Sequence, residues 1–116
     1  MCMRHSPHQL STCDGEKLVG EWLSGCSIDI CAVTTLNADH TFSDRFDDKD
    51  FSEPSYSGTW HVENDQLVMH VTWANKAQQD IIGEDLRLIV SEFHQRKFVA
   101  TLAEDGTKPV AWERRH

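Results

Sequence analysis

The sequence predicts an all-β domain of about eight antiparallel strands, wound up and down into a lipocalin-like barrel after a short helical turn. Three observations predict it. Residues 56–73 alternate apolar and polar side chains on both sides of Asn64-Asp65, the pattern of a hairpin closed by an Asx-rich turn. The same period of two recurs before and after that hairpin, with turn-forming residues between the runs. Helical periodicity is almost absent, and successive strands joined by short connections close most simply as a meander.

The chain has 116 residues and reads as a single domain, 1–116, of which 1–16 form an N-terminal segment. Its net charge of −8 argues against nucleic acid, which requires a clustered positive surface, and disfavours an anionic membrane. The first residues contain no apolar run of signal-peptide length, so the expected compartment is the cytoplasm, or the exterior if a leader has been removed. Cys2, Cys13, Cys26 and Cys31 include no Cys-x-x-Cys pair, and positions 26 and 31 would face opposite ways on one continuous strand. Free structural thiols are the expectation.

In order, Ser6-Pro7 starts a helical turn over 7–13, and Asp14-Gly15 stops it. Residues 17–24 form the first strand and 28–36 the second. A three-residue loop, 38–40, pairs Leu36 with Phe42 on the third strand and asks His40 for positive φ. Residues 47–55 are an acidic loop. The 56–73 hairpin then pairs Val62 with Leu67, Trp60 with Met69, Gly58 with Val71 and Tyr56 with Trp73, all facing inward. Gly58 and Val71 would leave room between the aromatic pairs. Residues 74–80 are a polar connection. Residues 81–93 give one strand or two, broken near Gly83, with Leu86, Leu88 and Val90 competing with Arg87, Ile89 and Phe93 for the inward face. The strand at 97–102 and the final one are joined by Glu104-Asp105-Gly106, which sets Ala100 opposite Val110 and Phe98 opposite Trp112.

Several of these motifs line up with a family. Leu18-Val19-Gly20-Glu21-Trp22 resembles the opening Gly-x-Trp signature of lipocalin-like, or calycin, barrels. Asn37-Ala38-Asp39-His40-Thr41-Phe42 is similar to the Asn-x-Asp-Gly-Thr-Phe hairpin of small bacterial lipocalin-like domains, with His40 in place of Gly. Gly58-Thr59-Trp60 with Leu67-Val68-Met69, and the closing Trp112-Glu113-Arg114-Arg115, resemble later strands of that family. The resemblance implies that Trp22 packs across the closed end under Arg114 or Arg115, a cation–π contact of about 0.5–2 kcal/mol.

Connection parity places the longer loops, 24–27, 47–55, 74–80 and 104–106, around one end of such a barrel, where a ligand would enter. The expected function is non-catalytic binding of a small apolar or cationic-aromatic molecule inside it. Phe46, Tyr56 and Trp73 would touch that ligand near the mouth, with Asp44 as a polar group and Met69 and Trp60 deeper. A second reading is a protein-interaction or inhibitor module, or a homodimer, using outward Val33, Val68 and Val99. A third is an isomerase or cyclase, which needs Asp44 or a histidine inside a cavity. No cofactor signature is present. The acidic residues Asp44, Asp47, Asp48, Asp50 and Glu53 lack calcium-loop spacing, and His61 and His70 lack the further ligands that zinc requires.

Overall fold

The structure, a computed structural model, describes residues 15–25, 31–47, 54–63, 66–94, 96–102 and 109–115, with the side chains of 46, 47, 54 and 115 excepted. Eight strands follow one another: β1 (Gly20–Ser24), β2 (Cys31–Leu36), β3 (Thr41–Asp47), β4 (Pro54–Glu63), β5 (Gln66–Ala74), β6 (Asp85–Phe93), β7 (Lys97–Leu102) and β8 (Val110–Arg115). Each pairs antiparallel with the next, and β8 returns to β1, closing the barrel. The all-β, up-and-down architecture is therefore the one that the alternation predicts.

The helical turn expected over 7–13 and the Glu104-Asp105-Gly106 loop lie outside the described residues. A single helical turn, α1 (Gly15–Leu18), occupies what the sequence reads as a stop and the start of a strand. Leu18 is fully buried, and its carbonyl accepts a 2.8 Å hydrogen bond from the Trp22 indole. That bond ties α1 to the barrel and delays β1 to Gly20. A 3-10 helix (Lys76–Ile81) fills the polar connection after β5, with the Asn75 side chain accepting from the Ala77 amide.

Turn chemistry sets the β2–β3 register. The Asn37 amide donates to the Thr41 carbonyl at 2.9 Å, and Asp39 accepts from the Thr41 amide and hydroxyl, at 3.1 and 2.6 Å. His40 takes φ 68°, as the loop length requires. Leu36 then faces Phe42, and further round Trp60 faces Met69, Phe98 faces Trp112 and Ala100 faces Val110.

Three irregularities break the period of two. On β4 the register shifts at Ser55, which lies between the pairs Asp44–Tyr56 and Arg45–Pro54. On β5 it shifts at Thr72, between the pairs Gly58–Val71 and Ser57–Trp73. The expected Tyr56–Trp73 pairing is thus replaced by Tyr56–Ala74. Past the bulge the phase reverses, so Trp73 turns outward and is 46% exposed while Ala74 is buried. The third shift, at Ser91 of β6, settles the ambiguous face of that strand. Leu88 and Val90 point inward before it and Phe93 after it, all buried, while Ile89 points out.

Gly58 has a different role from the one its small size suggests. It leaves no empty space, because the β5 backbone comes up against it at the bulge. A Cβ built there would run into the His70 carbonyl and crowd the Thr72 amide. Only a residue without a side chain allows β4 and β5 to approach so closely.

The floor of the barrel is its densest part. Leu18, Trp22, Leu36, Phe42, Trp60, Leu67 and Phe98 are each no more than 2% exposed. Arg114 lies 4.3 Å above the Trp22 ring and donates to the Val19 and Lys17 carbonyls, which binds β8 to the chain just before β1. Trp60 stacks on His40 with centroids 5.0 Å apart, and its indole donates to the Asn37 carbonyl at 3.0 Å. Truncating a floor aromatic to alanine would cost about 3–5 kcal/mol.

Cys31 corrects the free-thiol expectation, because it is disulfide-bonded. The parity argument assumed one continuous strand through positions 26 and 31, whereas β2 begins at Cys31 and residues 26–30 lie outside the described set.

Two predictions follow from packing and crosslinking. Gly58→Ala should destabilise the fold by more than about 3 kcal/mol in urea titration, whereas a change at half-exposed His61 should stay within about 0.5 kcal/mol. Alkylation of the unreduced, denatured protein should label at most two of the four cysteines. Reduction should lower the melting temperature by several degrees, as expected for loss of about 2–4 kcal/mol. Labelling of all four thiols would contradict the Cys31 bond.

Candidate functional site

Strand parity divides the interior into two walls. On β1 to β4 the inward phase carries polar groups: Ser24, Thr34 and Asp44 are buried, and the Tyr56 hydroxyl joins them. On β5 to β8 it carries Met69, Val71, Leu86, Leu88, Val90, Phe98, Ala100 and Leu102, with Trp112 stacked on Phe98 at 5.6 Å. The polar wall is organised around one carboxylate. Thr34, Asp44 and Tyr56 are direct cross-strand partners on β2, β3 and β4, so their side chains form a row on one face.

Both neighbours donate to the same oxygen of Asp44. The Thr34 hydroxyl reaches Oδ2 at 3.1 Å and the Tyr56 hydroxyl reaches it at 2.9 Å. Asp44 is only 7% exposed. Burial pushes its carboxyl above the ordinary carboxylate range, and the two hydrogen bonds pull it part of the way back. Tyr56 is raised well beyond a normal phenol, first by burial and then by the Asp44 charge, so it acts as a fixed donor. Bulges at Ser55 and Thr72 flank Tyr56 on its two edges. Bulges gather where a strand must re-aim a side chain.

Exposure changes along the barrel axis. The floor residues are sealed, whereas Tyr56, Leu86 and Leu102, which face inward near the other end, are only half-buried. That end carries the 3-10 helix, and β1, β3 and β7 finish there. Gln78 Oε1, on the 3-10 helix, is buried there without a hydrogen-bond partner; the other such atom among the described residues, Trp112 Nε1, belongs to the residue paired with Phe98.

The structure therefore brings together some of the residues that the sequence singles out. Asp44 and Tyr56 form the polar handle and Met69 lies on the apolar wall opposite. Trp60 belongs to the floor, with its polar tip satisfied at the Asn37 turn. Trp73 is removed from the interior by the Thr72 bulge. Phe46 sits opposite Ala32 on β3, but its side chain lies outside the described residues, as do Asp48, Asp50 and Glu53. Thr34 was legible from register, since a hydroxyl on the inward phase of β2 must face Asp44 once Leu36 faces Phe42. Gln78 left no such signal, because its burial depends on how the 3-10 helix folds back.

The outer face offers less apolar surface than its valines suggest. Val33 and Val68 are at most 1% exposed and Val99 is half-buried. Val68 lies between His61 and Arg87 in the sheet, on the face that carries a run of paired polar side chains. In it His61 meets Glu63 at 3.0 Å, Glu63 meets Arg87 at 2.9 Å, and His70 meets Asp85 at 2.7 Å. These partners occupy both histidines, and no metal-binding cluster occurs among the described residues. No described helix is long and apolar enough to cross a membrane.

Because its folded pKa is raised, Asp44 holds its proton more tightly folded than unfolded. Its contribution is fully present at low pH and is lost as pH rises from about 4 towards the raised value. Asp44→Asn, which keeps an oxygen for Thr34 and Tyr56, should therefore melt a few degrees higher than the parent near neutral pH. The gain should vanish as pH falls to about 4, as followed by thermal unfolding across pH. No family model, curated protein or solved structure matches this chain; its eight-stranded closed antiparallel barrel is compatible with a lipocalin-like fold.

Proposed function

We infer that the protein binds a small apolar or cationic-aromatic molecule inside its barrel, at the mouth-side level of Asp44 and Tyr56, without chemical turnover. The observation that carries this reading is the gradient of exposure. Inward residues at the floor are sealed, while Tyr56, Leu86 and Leu102 are half-open at the other end, beside a buried carboxylate. An eight-strand barrel has room for one small ligand at most. The ligand's apolar part would lie on the Met69 and Leu86 wall.

Catalysis is not required by this arrangement. Tyr56 is held as a hydrogen-bond donor rather than an acid, and the described histidines lie on the outer face or at turns. For the interaction-module reading, Val33 and Val68 are covered, Val99 is half-buried, and the exposed large apolar residues are Trp73, Ile82, Ile89 and Val110. The Cys31 disulfide also shifts the expected compartment from the cytoplasm towards an oxidising one, where such bonds persist.

A thermal-shift screen of apolar and cationic-aromatic compounds tests the reading, with quenching of tryptophan fluorescence as a second readout. Hits should bind with one-to-one stoichiometry and weaken at least about tenfold in Tyr56→Phe or Met69→Ala, variants first shown to fold. A screen without stabilising compounds, or hits indifferent to both substitutions, would refute interior binding.

A further inference from the structure

Resting on that binding reading, we propose that the group recognised by the polar wall is a protonated amine, seated against Asp44 and carrying its own N–H donors. Charge is the first argument. Asp44 is a buried carboxylate, and among the described residues no cation lies within ion-pair distance of it. The candidates on nearby strands are engaged elsewhere. Arg45 points to the other face of β3 and meets Glu21 at 3.1 Å, Arg114 lies over Trp22, and Arg87 is on the outer face with Glu63. A buried charge of this kind is costly until a partner arrives.

Hydrogen-bond direction is the second argument. Thr34 and Tyr56 both donate to Oδ2, and no described donor reaches Oδ1. The second acceptor is independent of Asp44. Gln78 Oε1 is buried without a partner on the 3-10 helix that is clamped beside this part of the barrel. There the Asn75 amide donates to the Ser55 carbonyl at 2.9 Å and Gln79 Nε2 to the Ala74 carbonyl at 2.8 Å, next to the cross-strand pair Tyr56–Ala74. Ile81, at the end of the same helix, packs against the core, which puts this helix over the open end of the interior.

Two unfilled acceptors, one of them charged, match a group made only of donors. An ammonium supplies three N–H donors and no acceptor, so an amine seated on Asp44 Oδ1 keeps further donors for a second acceptor such as Gln78 Oε1. A carboxylate ligand would meet repulsion, and an alcohol would leave the charge uncompensated. A quaternary ammonium would satisfy the charge but neither acceptor.

The test is calorimetric titration of the folded full chain with a matched set: primary arylalkylamines, the isosteric alcohols, their trimethylammonium analogues, and pyrene as a neutral apolar probe. The amine should bind at least about tenfold tighter than its alcohol, as for a hydrogen bond to a charged group. Asp44→Asn should remove that preference and leave pyrene binding unchanged. Gln78→Leu should weaken the primary amine and spare the trimethylammonium compound. Equal affinity for amine and alcohol, or undiminished amine binding by Asp44→Asn, overturns the proposal. If pyrene binds and no amine does, the amine assignment falls while interior binding stands. If neither binds, both fall.

Discussion

Closure at the floor is the constraint on which the rest depends. A sheet of eight strands has two edges, and joining β8 to β1 removes both. Arg114 holds that seam in three ways: it stacks over Trp22, caps the Val19 and Lys17 carbonyls, and sits opposite Trp22 in the ladder. Burial lowers the proton affinity of its guanidinium slightly, yet an arginine stays charged at any physiological pH. With the floor fixed by Trp22, Trp60 and Leu18, residues further along each strand are carried to defined heights. The level of Asp44 is one of those heights.

From that floor upward, strict alternation would make the interior uniform, and it is the bulges that prevent this. Between Ser55 and Thr72 the β4–β5 hairpin has two extra residues, one on each side of Tyr56. The first breaks the β3–β4 ladder just beyond the Asp44–Tyr56 pair, and the second throws Trp73 out and substitutes Ala74. A large indole is thereby replaced by a methyl group at the polar handle. Gly58 makes the second bulge sterically feasible, because the backbone of β5 occupies the place of its missing side chain.

The strand count, the tight-turn registers and the positive φ of His40 were legible because they depend on local rules: period two, loop length and turn chemistry. The seam was legible through the Trp22 and Arg114 motifs. What escaped the sequence was whatever interrupts periodicity. A bulge adds one residue without a consistent residue signature, so Tyr56–Trp73 and the face of β6 could not be fixed in advance. The fate of Trp73 follows from Thr72, an ordinary strand residue that marks nothing. Asp44 and Tyr56 were legible as inward groups, but their joint use of Thr34 required the registers of two ladders at once. The Cys31 bond was hidden by an assumption about strand continuity.

The wall carrying Asp44 is hard to explain as core. A barrel this size can be filled by apolar side chains, as the floor shows, and a leucine at position 44 would bury without the cost of a desolvated charge. Thr34 and Tyr56 reduce that cost but do not remove it, since the carboxyl still sits above its ordinary range. The three groups lie where the interior is half-open rather than sealed, and Gln78 Oε1 on the 3-10 helix at that end lacks a partner. This is the polarity that the proposed amine would meet. The same desolvation that weakens the empty protein would strengthen every electrostatic contact made there once that partner is bound.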